Sequence, residues 1–314
     1  MALAWREQGE ARRFFFPMFS MMDIPPGQAG PLISDVRQSR SSPASAQHGL
    51  GGARTTSIKR IWITVFGLPR LMGQTQHSPT ESETHAMRVV IMGGTSGIGL
   101  SAAERLTAAG AEVIVTGRDP EKLAAAKDRV AGAEQVDGAS ETDVTEFFER
   151  TGAIDHLVLA FSPGALGFGP LADVSLASIR GAFDGKLFPY LYAIQKADVT
   201  GSVTMISAAT ARAALPGSVA LAAVNGAIER IVSPLAAELA PVRVNAVAPG
   251  AVDTPWWSFL PEDQRAAQFT SVAADLPAKR IGRPGDIANA IAYLIGADYV
   301  TGTVLPVDGG FTVA

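Results

Sequence analysis

From Met87 onward, short apolar runs alternate with longer stretches whose apolar residues recur at helical spacing. This alternation is typical of a parallel sheet that is covered by helices on both faces. The predicted strands are 88–92, 112–117, 134–138, 154–161, 201–207, 241–249 and 302–309. The predicted helices are 98–110, 119–130, 141–152, 177–197, 217–239 and 284–296. We therefore predict an α/β fold for residues 87–314, a doubly wound parallel sheet in a single three-layer α/β/α domain.

Residues 1–86 lack this alternation. They mix Pro, Gly, Ser, Gln and Arg around short apolar islands, and 34–57 has a composition typical of disorder. Nine Lys+Arg against six Asp+Glu give them a charge of +3, whereas 17 against 24 give residues 87–314 a charge of −7. Met87 stands immediately before the first strand, as a true start would. We interpret 1–86 as a disordered or mis-assigned N-terminal extension, and a targeting peptide is the alternative.

Composition excludes several classes of function. The net charge of −4 gives no sign of a nucleic-acid or anionic-membrane partner. The chain has no cysteine, which excludes disulfides, thiolate metal ligands and a cysteine nucleophile, and it fits a reducing compartment. The four histidines are scattered, and no apolar run approaches the roughly 18 residues of a membrane span. We expect a cytoplasmic protein that binds neither nucleic acid nor membrane and holds no metal.

A glycine-rich turn, MGGTSGIG at 92–99, connects the first strand to the first helix. A pyrophosphate binds backbone amides at the positive end of a helix, where side chains would block its approach. We expect Gly93, Gly97 and Gly99 to leave that space free and Gly93 to adopt a φ that other residues resist. In this context the turn predicts a Rossmann-type dinucleotide site. Its expected cofactor-binding residues are Gly93, Thr95, Ser96, Gly97, Ile98 and Gly99.

The end of the second strand indicates which dinucleotide binds. A site that prefers NAD offers a carboxylate to the ribose 2′-hydroxyl here, but this chain has Gly117 followed by Arg118. A guanidinium holds a 2′-phosphate well, so the sequence favours NADP(H). The alternative is that Arg118 is a solvated turn residue. We expect Asp137, at the end of the third strand, to lie at the adenine end of the site.

Four stretches together resemble the short-chain dehydrogenase/reductase family across essentially all of residues 87–314. They are GGTSGIG at 93–99, ISAATARAALPG at 206–217, PVRVNAVAPGAVDTP at 241–255 and the long run at 282–310. The resemblance implies an oxidoreductase that acts on carbonyl/alcohol pairs with a nicotinamide cofactor. It also implies a set of residues that line the nicotinamide and pyrophosphate end of that cofactor, namely Pro249, Gly250, Val252 and Thr254.

Family members use a Tyr as acid and base, a Lys four residues later, a Ser that orients the substrate oxygen, and an Asn in a water relay. Alignment on LPG at 215–217 places Leu221 at the Tyr position and Asn225 at the Lys position. Ala208 stands at the Ser position and Lys186 at the Asn position. All four are substituted, and loss of a positioned acid/base typically removes a factor of about 10² to 10⁴ in rate.

Two of these substitutions are reciprocal. In the family the positions of Lys186 and Asn225 face one another, so we hypothesise that Lys186 occupies the vacated space, reaches the ribose hydroxyls and donates a hydrogen bond to Asn225. The alternative is coincidence, with Lys186 solvated at a helix end. Ser207 is a candidate to orient a carbonyl unless its side chain points to the other face of the sheet. Tyr190, one turn after Lys186, is a candidate acid, although we favour an ordinary contact in a subunit interface.

The segment 254–277 is expected to form a substrate lid. Trp256, Trp257 and Phe259 suggest a hydrophobic or ring-bearing substrate, unless one or both Trp pack the lid onto the domain. By analogy with the family, the two longest helices form a homodimer or homotetramer contact. The favoured function is an NADP(H)-dependent oxidoreductase with a rearranged active site. The alternatives are a catalytically inactive NADP(H)-binding sensor or scaffold and, more weakly, an isomerase or lyase that uses the cofactor for structure.

Overall fold

A computed structural model describes residues 86–313. Seven strands are named in chain order: β1 Arg88–Met92, β2 Glu112–Gly117, β3 Gly132–Gln135, β4 Ile154–Leu159, β5 Val199–Ile206, β6 Arg243–Pro249 and β7 Val304–Val307. They form one sheet in the order β3-β2-β1-β4-β5-β6-β7, and every neighbouring pair is parallel. The strand order reverses between β1 and β4. The predicted doubly wound α/β fold is confirmed.

Eight α-helices connect these strands within the described residues. They are α1 Gly97–Ala108, α2 Pro120–Lys127, α3 Glu141–Thr151, α4 Leu176–Asp184, α5 Leu187–Lys196, α6 Val219–Glu238, α7 Glu262–Asp275 and α8 Pro284–Gly296. Capping residues fix several of their first turns. The Asp119 carboxylate accepts from the amides of Glu121 and Lys122 before α2, and the Ser140 hydroxyl accepts from the amide of Asp143 before α3.

The core lies on both faces of the sheet. Along β1, Val89 and Ile91 belong to the cluster beneath α1 and α8, whereas Val90 and Met92 belong to the cluster beneath α3, α5 and α6. Successive strand residues point to opposite faces, so a strand that is covered on both sides needs apolar residues at every position. This explains why the strands appear as continuous apolar runs rather than as alternating patterns.

The clearest differences between prediction and structure concern two predicted elements and one helix that was not predicted. The helix predicted at 177–197 is two helices, α4 and α5, which are separated at Gly185 and Lys186. The strand predicted at 134–138 begins two residues earlier and ends three residues earlier, at Gly132–Gln135. The helix α7 at Glu262–Asp275, within the predicted lid, was not predicted at all. The prediction for the N-terminal extension falls on residues 1–85, which lie outside the described range, and on Ala86.

The helix α6 is, by length and composition, apolar enough to cross a membrane, with a mean hydropathy of 1.3. This differs from the expectation that no such run exists. One such helix is weak evidence of a membrane span, because helices in the core of soluble proteins can be equally long and apolar. Here α6 supplies Val224, Ile228 and Val232 to the core, and its Glu229 forms an ion pair with Arg212.

Candidate functional site

The loops that follow β1, β4, β5 and β6 meet at the carboxyl edge of the sheet. A Cβ atom built on Gly93, after β1, would lie 2.6 Å from the amide nitrogen of Phe161, after β4. A Cβ atom built on Gly97 would lie 3.4 Å from the Cβ of Thr254, after β6. In doubly wound sheets, ligands bind in the crevice where the strand order reverses. Gly93, Gly97 and Thr254, three of the predicted cofactor-binding residues, therefore lie at the place where this fold binds ligands.

The N-terminus of α1 suits an anion. The first amides of a helix have no partner within it, and the side chain of Ser96, at the N-cap, accepts no hydrogen bond from them. The first turn also contains no acidic residue. The helices α2, α3 and α4, by contrast, are capped by side chains. The free amides of Gly97, Ile98 and Gly99 are thus able to bind the diphosphate of a dinucleotide.

The glycines of this turn serve different purposes. Gly93 has φ +82° and lies against the backbone of Phe161, as expected for a residue in the left-handed region. A Cβ on Gly99 would overlap the carbonyl oxygen of Gly93. Gly93 and Gly99 therefore allow close packing within the protein, and the approach of pyrophosphate to all three glycines stays a prediction. Gly97, with φ +53°, lies at the open side of the turn next to Thr254.

The residues expected at the adenine end are exposed or half-buried. Arg118 is exposed, its backbone oxygen accepts a hydrogen bond from Gln135 Nε2 at 3.2 Å, and its guanidinium has no ion pair within residues 86–313. Asp137 is half-buried, and its Oδ1 accepts from the amide of Ala139 at 3.1 Å. The cation is thus available to a phosphate, while the carboxylate already stabilises its own turn.

The loop after β6 is held closely against the domain. A Cβ on Gly250 would lie 2.7 Å from the carbonyl oxygen of Asp308, so the backbone approaches closely there. The side chain of Val252 is buried, and its carbonyl oxygen accepts from Trp257 Nε1 at 3.0 Å. Pro249, the last residue of β6, is also buried. Of the four residues that the family resemblance assigned here, Thr254 is the one whose side chain lies next to Gly97 of the glycine-rich turn at 92–99.

The side chain of Lys186 is enclosed at the start of α5, with 8% of the residue exposed. Its Nζ donates to Asn225 Oδ1 at 2.7 Å and to the carbonyl oxygen of Ser207 at 3.4 Å. The predicted hydrogen bond between the two exchanged positions is therefore present, and Lys186 is not a solvated residue at a helix end. Burial lowers the pKa of the Lys186 ammonium to about 7.

A hydroxyl that the sequence did not single out lies beside this pair. Asn225 Nδ2 donates to Thr210 Oγ1 at 3.1 Å and to the carbonyl oxygen of Leu221 at 2.9 Å. Thr210 lies in the short 3₁₀ turn Ala209–Ala211, directly after β5. The sequence indicates Thr210 only by its place two residues after Ala208, the position at which the family carries its Ser. Thr210 provides a hydroxyl near the place where Ala208 has none.

Ser207 is turned away from Lys186. Its Oγ donates to Glu229 Oε1 at 3.0 Å, and Glu229 Oε2 accepts from Arg212 Nε at 2.8 Å. The carbonyl oxygen of Ser207 faces Lys186, while the side chain is engaged by α6. This geometry favours the second of the two interpretations offered for Ser207, in which its hydroxyl does not orient a carbonyl.

Neither interpretation offered for Tyr190 agrees with the structure. The residue is fully buried within its own chain, so it is not a subunit contact. Its hydroxyl donates to the carbonyl oxygens of Phe161 at 3.1 Å and Ile206 at 3.3 Å, and its ring packs edge-on against Phe161. Burial raises the pKa of the Tyr190 hydroxyl far above its usual range. Tyr190 therefore holds the ends of β4 and β5 together and does not support an acid role.

The segment 254–277, which is predicted to form a substrate lid, shares an aromatic cluster with the loop after β4. Trp256 and Phe259, in the 3₁₀ turn Pro255–Phe259, lie with ring centroids 6.4 Å and 6.1 Å from Phe168 in the loop after β4. Trp257 packs against Trp256 at 4.9 Å and against Phe269 of α7 at 5.5 Å, and its Nε1 donates to the carbonyl oxygen of Val252 at 3.0 Å. The hydrogen bond of Trp257 to the buried Val252 holds this segment against the domain, as the packing alternative expected, while Trp256 contacts Phe168.

Comparison with known proteins gives consistent results. Residues 93–312 match the family model described as Enoyl-(Acyl carrier protein) reductase. The chain is 32% identical over 261 residues to a glucose 1-dehydrogenase of Gluconobacter oxydans, covering 75% of this chain and 96% of that protein. It is also 32% identical over 255 residues to a cis-4-hydroxycyclohexanecarboxylate dehydrogenase of Sinomonas cyclohexanicum, covering 73% and 98%.

A solved structure is similar over the same region. It is described as a small-chain dehydrogenase in complex with NADPH and has a TM-score of 0.64 and 31% sequence identity. The match covers 73% of this chain and all of that one. The chain thus shares both its fold and nearly a third of its aligned residues with a dinucleotide-binding dehydrogenase.

Proposed function

Because the chain belongs to the short-chain dehydrogenase/reductase family, and is thus an oxidoreductase of the alcohol/carbonyl type, we propose that it uses NADP(H) and a rearranged active site. The substrate is the carbonyl/alcohol pair of a hydrophobic small molecule. The observation that carries the proposal is the hydrogen bond from Lys186 to Asn225. This bond supports the proposal because the buried amine of Lys186 lies beside Asn225, the position at which the family carries its Lys.

The described residues fit a nicotinamide dinucleotide. The uncapped amides of Gly97, Ile98 and Gly99 bind the diphosphate, and Arg118 binds the 2′-phosphate that distinguishes NADP(H) from NAD(H). When bound, the nicotinamide supplies or accepts the hydride. The NADPH named for the similar small-chain dehydrogenase supports this choice of cofactor.

The remaining polar groups orient the reactants. Lys186 reaches the ribose hydroxyls and is kept in place by Asn225 and by the carbonyl of Ser207. Thr210 accepts from Asn225 and has its own hydroxyl hydrogen for the substrate oxygen. Asn225 thus links the group that binds the cofactor to the group that binds the substrate.

The lid and the loop after β4 enclose an apolar substrate. Trp256, Phe259 and Phe168 form one aromatic cluster, which contacts flat or alicyclic carbon skeletons well. The relative from Sinomonas cyclohexanicum is named for an alicyclic alcohol substrate, which supports the same class here. A ring-bearing ketone is therefore the substrate to test first.

Turnover of the full-length protein tests the function. NADPH consumption is followed by its absorbance with a panel of cyclic ketones, aliphatic ketones and quinones. We expect consumption with at least one ring-bearing ketone and slower consumption with short aliphatic ketones. Saturable NADPH binding without turnover on the whole panel would contradict the oxidoreductase and favour the sensor or scaffold.

We also propose a homodimer or homotetramer. Phe188 and Leu191 are exposed on α5, and Tyr293 and Tyr299 are exposed at and beyond the end of α8. Exposed apolar side chains of this size are typical of contacts between subunits. Light scattering after size-exclusion chromatography tests this, and we expect charged substitutions at Phe188 and Leu191 to reduce the mass. A wild-type monomer at micromolar concentration would contradict the proposal.

A further inference from the structure

The amine of Lys186 is buried without a carboxylate partner. Its two acceptors are the amide oxygen of Asn225 and the backbone carbonyl of Ser207, both uncharged. None of the salt bridges within residues 86–313 includes Lys186. A buried ammonium that is not paired is costly, so such groups shift toward the neutral form.

The charged groups on the surrounding elements are engaged elsewhere or exposed. On α6, Glu229 is held by Arg212 and by the hydroxyl of Ser207, and Arg230 is exposed. On α4, Asp184 is exposed. On α5, the hydroxyl of Tyr190 donates to backbone carbonyls. Burial is therefore the cause that lowers the pKa of Lys186 to about 7, where both protonation states are populated.

The other polar groups nearby are poor proton donors. Leu221 and Ala208 carry no exchangeable proton, and the hydroxyls of Ser207 and Tyr190 are turned to other partners. Thr210 is an alcohol, which orients an oxygen but does not ionise near neutrality. Within the described part of this edge, Lys186 is the enclosed side chain whose pKa of about 7 allows both the ammonium and the amine form near neutral pH.

We propose that Lys186 is the general acid and base of the reaction, in place of the missing Tyr. This rests on the proposed oxidoreductase function. In the direction of reduction, an N–H bond of the ammonium breaks and an O–H bond forms on the carbonyl oxygen, while the electron pair of the N–H bond stays on nitrogen. The hydride that reduces the carbonyl carbon comes from NADPH, which is oxidised. The neutral amine of Lys186 then regains a proton from water.

The absence of cysteine allows a direct test. In a Lys186→Cys variant the single thiol is alkylated with bromoethylamine, which creates an aminoethyl thioether in place of the lysine side chain. Sulfur withdraws electrons, so this amine has a lower intrinsic pKa than lysine. A Lys196→Cys variant, at the exposed end of α5, is alkylated in the same way as the control.

We expect Lys186→Cys to lower kcat at saturating NADPH by about 10² to 10⁴-fold, as for loss of a positioned acid. Alkylation is expected to restore most of kcat. It is also expected to shift the limb on which kcat falls with rising pH to lower pH. The alkylated Lys196→Cys control is expected to keep the wild-type limb. In the wild-type protein without substrate, the NMR signal of the Lys186 side chain is expected to titrate near pH 7.

The outcomes separate this proposal from the function on which it rests. Restored turnover with an unchanged pH limb, or a Lys186→Met variant with wild-type kcat, would overturn the role of Lys186 and leave the oxidoreductase intact. A wild-type protein that binds NADPH but turns over no carbonyl would overturn the function itself. A Lys186 signal that titrates near the value of an ordinary lysine would also overturn the proposal.

Discussion

Lys186, the residue before α5, and Tyr190, four residues later in the first turns of α5, are two buried ionisable residues with different roles. Tyr190 is fully buried, and its hydroxyl donates to the carbonyl oxygens of Phe161 and Ile206, which lie at the carboxyl ends of β4 and β5. Tyr190 therefore stabilises this edge of the sheet. Lys186 is buried among neutral acceptors at the same edge, so its proton is held weakly. Burial raises the pKa of Tyr190 and lowers that of Lys186, because in both cases it disfavours the charged form.

Tyr190→Phe separates a structural role from a catalytic one. The substitution leaves the carbonyl oxygens of Phe161 and Ile206 without this donor, so we expect the free energy of unfolding to fall by about 1–2 kcal/mol. We expect kcat to change little, because the hydroxyl does not face the reactants. Chemical denaturation and steady-state kinetics measure both. A loss of kcat of a hundredfold or more at unchanged stability would restore Tyr190 as the acid.

The pH dependence of stability reports the burial of Lys186. Its pKa is about 7 in the folded protein and 10.5 in the unfolded chain, so unfolding takes up a proton between these values. The wild-type free energy of unfolding is therefore expected to rise with pH from about 7 to 10, by up to about 1.4 kcal/mol per pH unit from this group. Lys186→Met removes this rise. If the free energy of unfolding changed with pH in the same way in both proteins, the burial of the Lys186 amine would be contradicted.

Some of these residue roles could be predicted from the sequence. A Lys at the Asn position and an Asn at the Lys position indicated the hydrogen bond between Lys186 and Asn225. The orientations of Ser207 and Tyr190 could not be predicted, because they depend on which partners surround each side chain in three dimensions. Thr210 was missed since it lies two residues from the position that the family uses.

At the scale of elements, the break between α4 and α5 sets the position of Lys186. Gly185 caps α4, and Lys186 has a non-helical φ of −142° and ψ of −63° before α5 begins. A Cβ on Gly185 would overlap the ring of Pro163 in the loop after β4. The break therefore depends on close packing between that loop and the helices.

Gly185→Ala tests this packing. Either Pro163 or the start of α5 must move, so we expect a loss of about 1–3 kcal/mol in the free energy of unfolding, as in other overpacked sites. We also expect weaker NADPH binding, because Lys186 moves with the start of α5. The matched control is Gly285→Ala in α8, where nothing lies within 4 Å of an added Cβ.

The control protein is expected to keep its affinity for NADPH and to gain stability of up to about 1 kcal/mol, since Ala favours helices. Differential scanning calorimetry and a binding titration distinguish the two variants. If the Gly185 and Gly285 variants had equal stability and equal affinity for NADPH, the break between α4 and α5 would not set the position of Lys186.

Most elements were predictable because apolar periodicity and turn residues agree along the chain. The single helix predicted at 177–197 was wrong because the contact of Gly185 with Pro163 is not visible in periodicity. The strand β3 is at the edge of the sheet and contains few apolar residues, so its limits were poorly defined by the sequence.

At the scale of the whole molecule, the parallel sheet brings distant segments to one edge. The glycine-rich turn at 92–99 follows β1, and the predicted lid at 254–277 follows β6. Lys186 lies on the connection that follows β4, and Asn225 lies on the connection that follows β5. Their convergence was predictable from the strand–helix alternation, since parallel strands share a carboxyl edge. The contact of Trp256 and Phe259 with Phe168 could not be predicted, because Phe168 lies in a loop whose sequence has no periodic pattern.

Binding of a nicotinamide dinucleotide is the property on which every proposed role depends. Isothermal titration of the full-length protein with NADPH and with NADH measures it directly. We expect saturable binding of NADPH, tighter than that of NADH by about 10- to 100-fold, a difference that Arg118→Ala removes. If neither dinucleotide binds, the proposed cofactor site and the chemistry built on it are wrong.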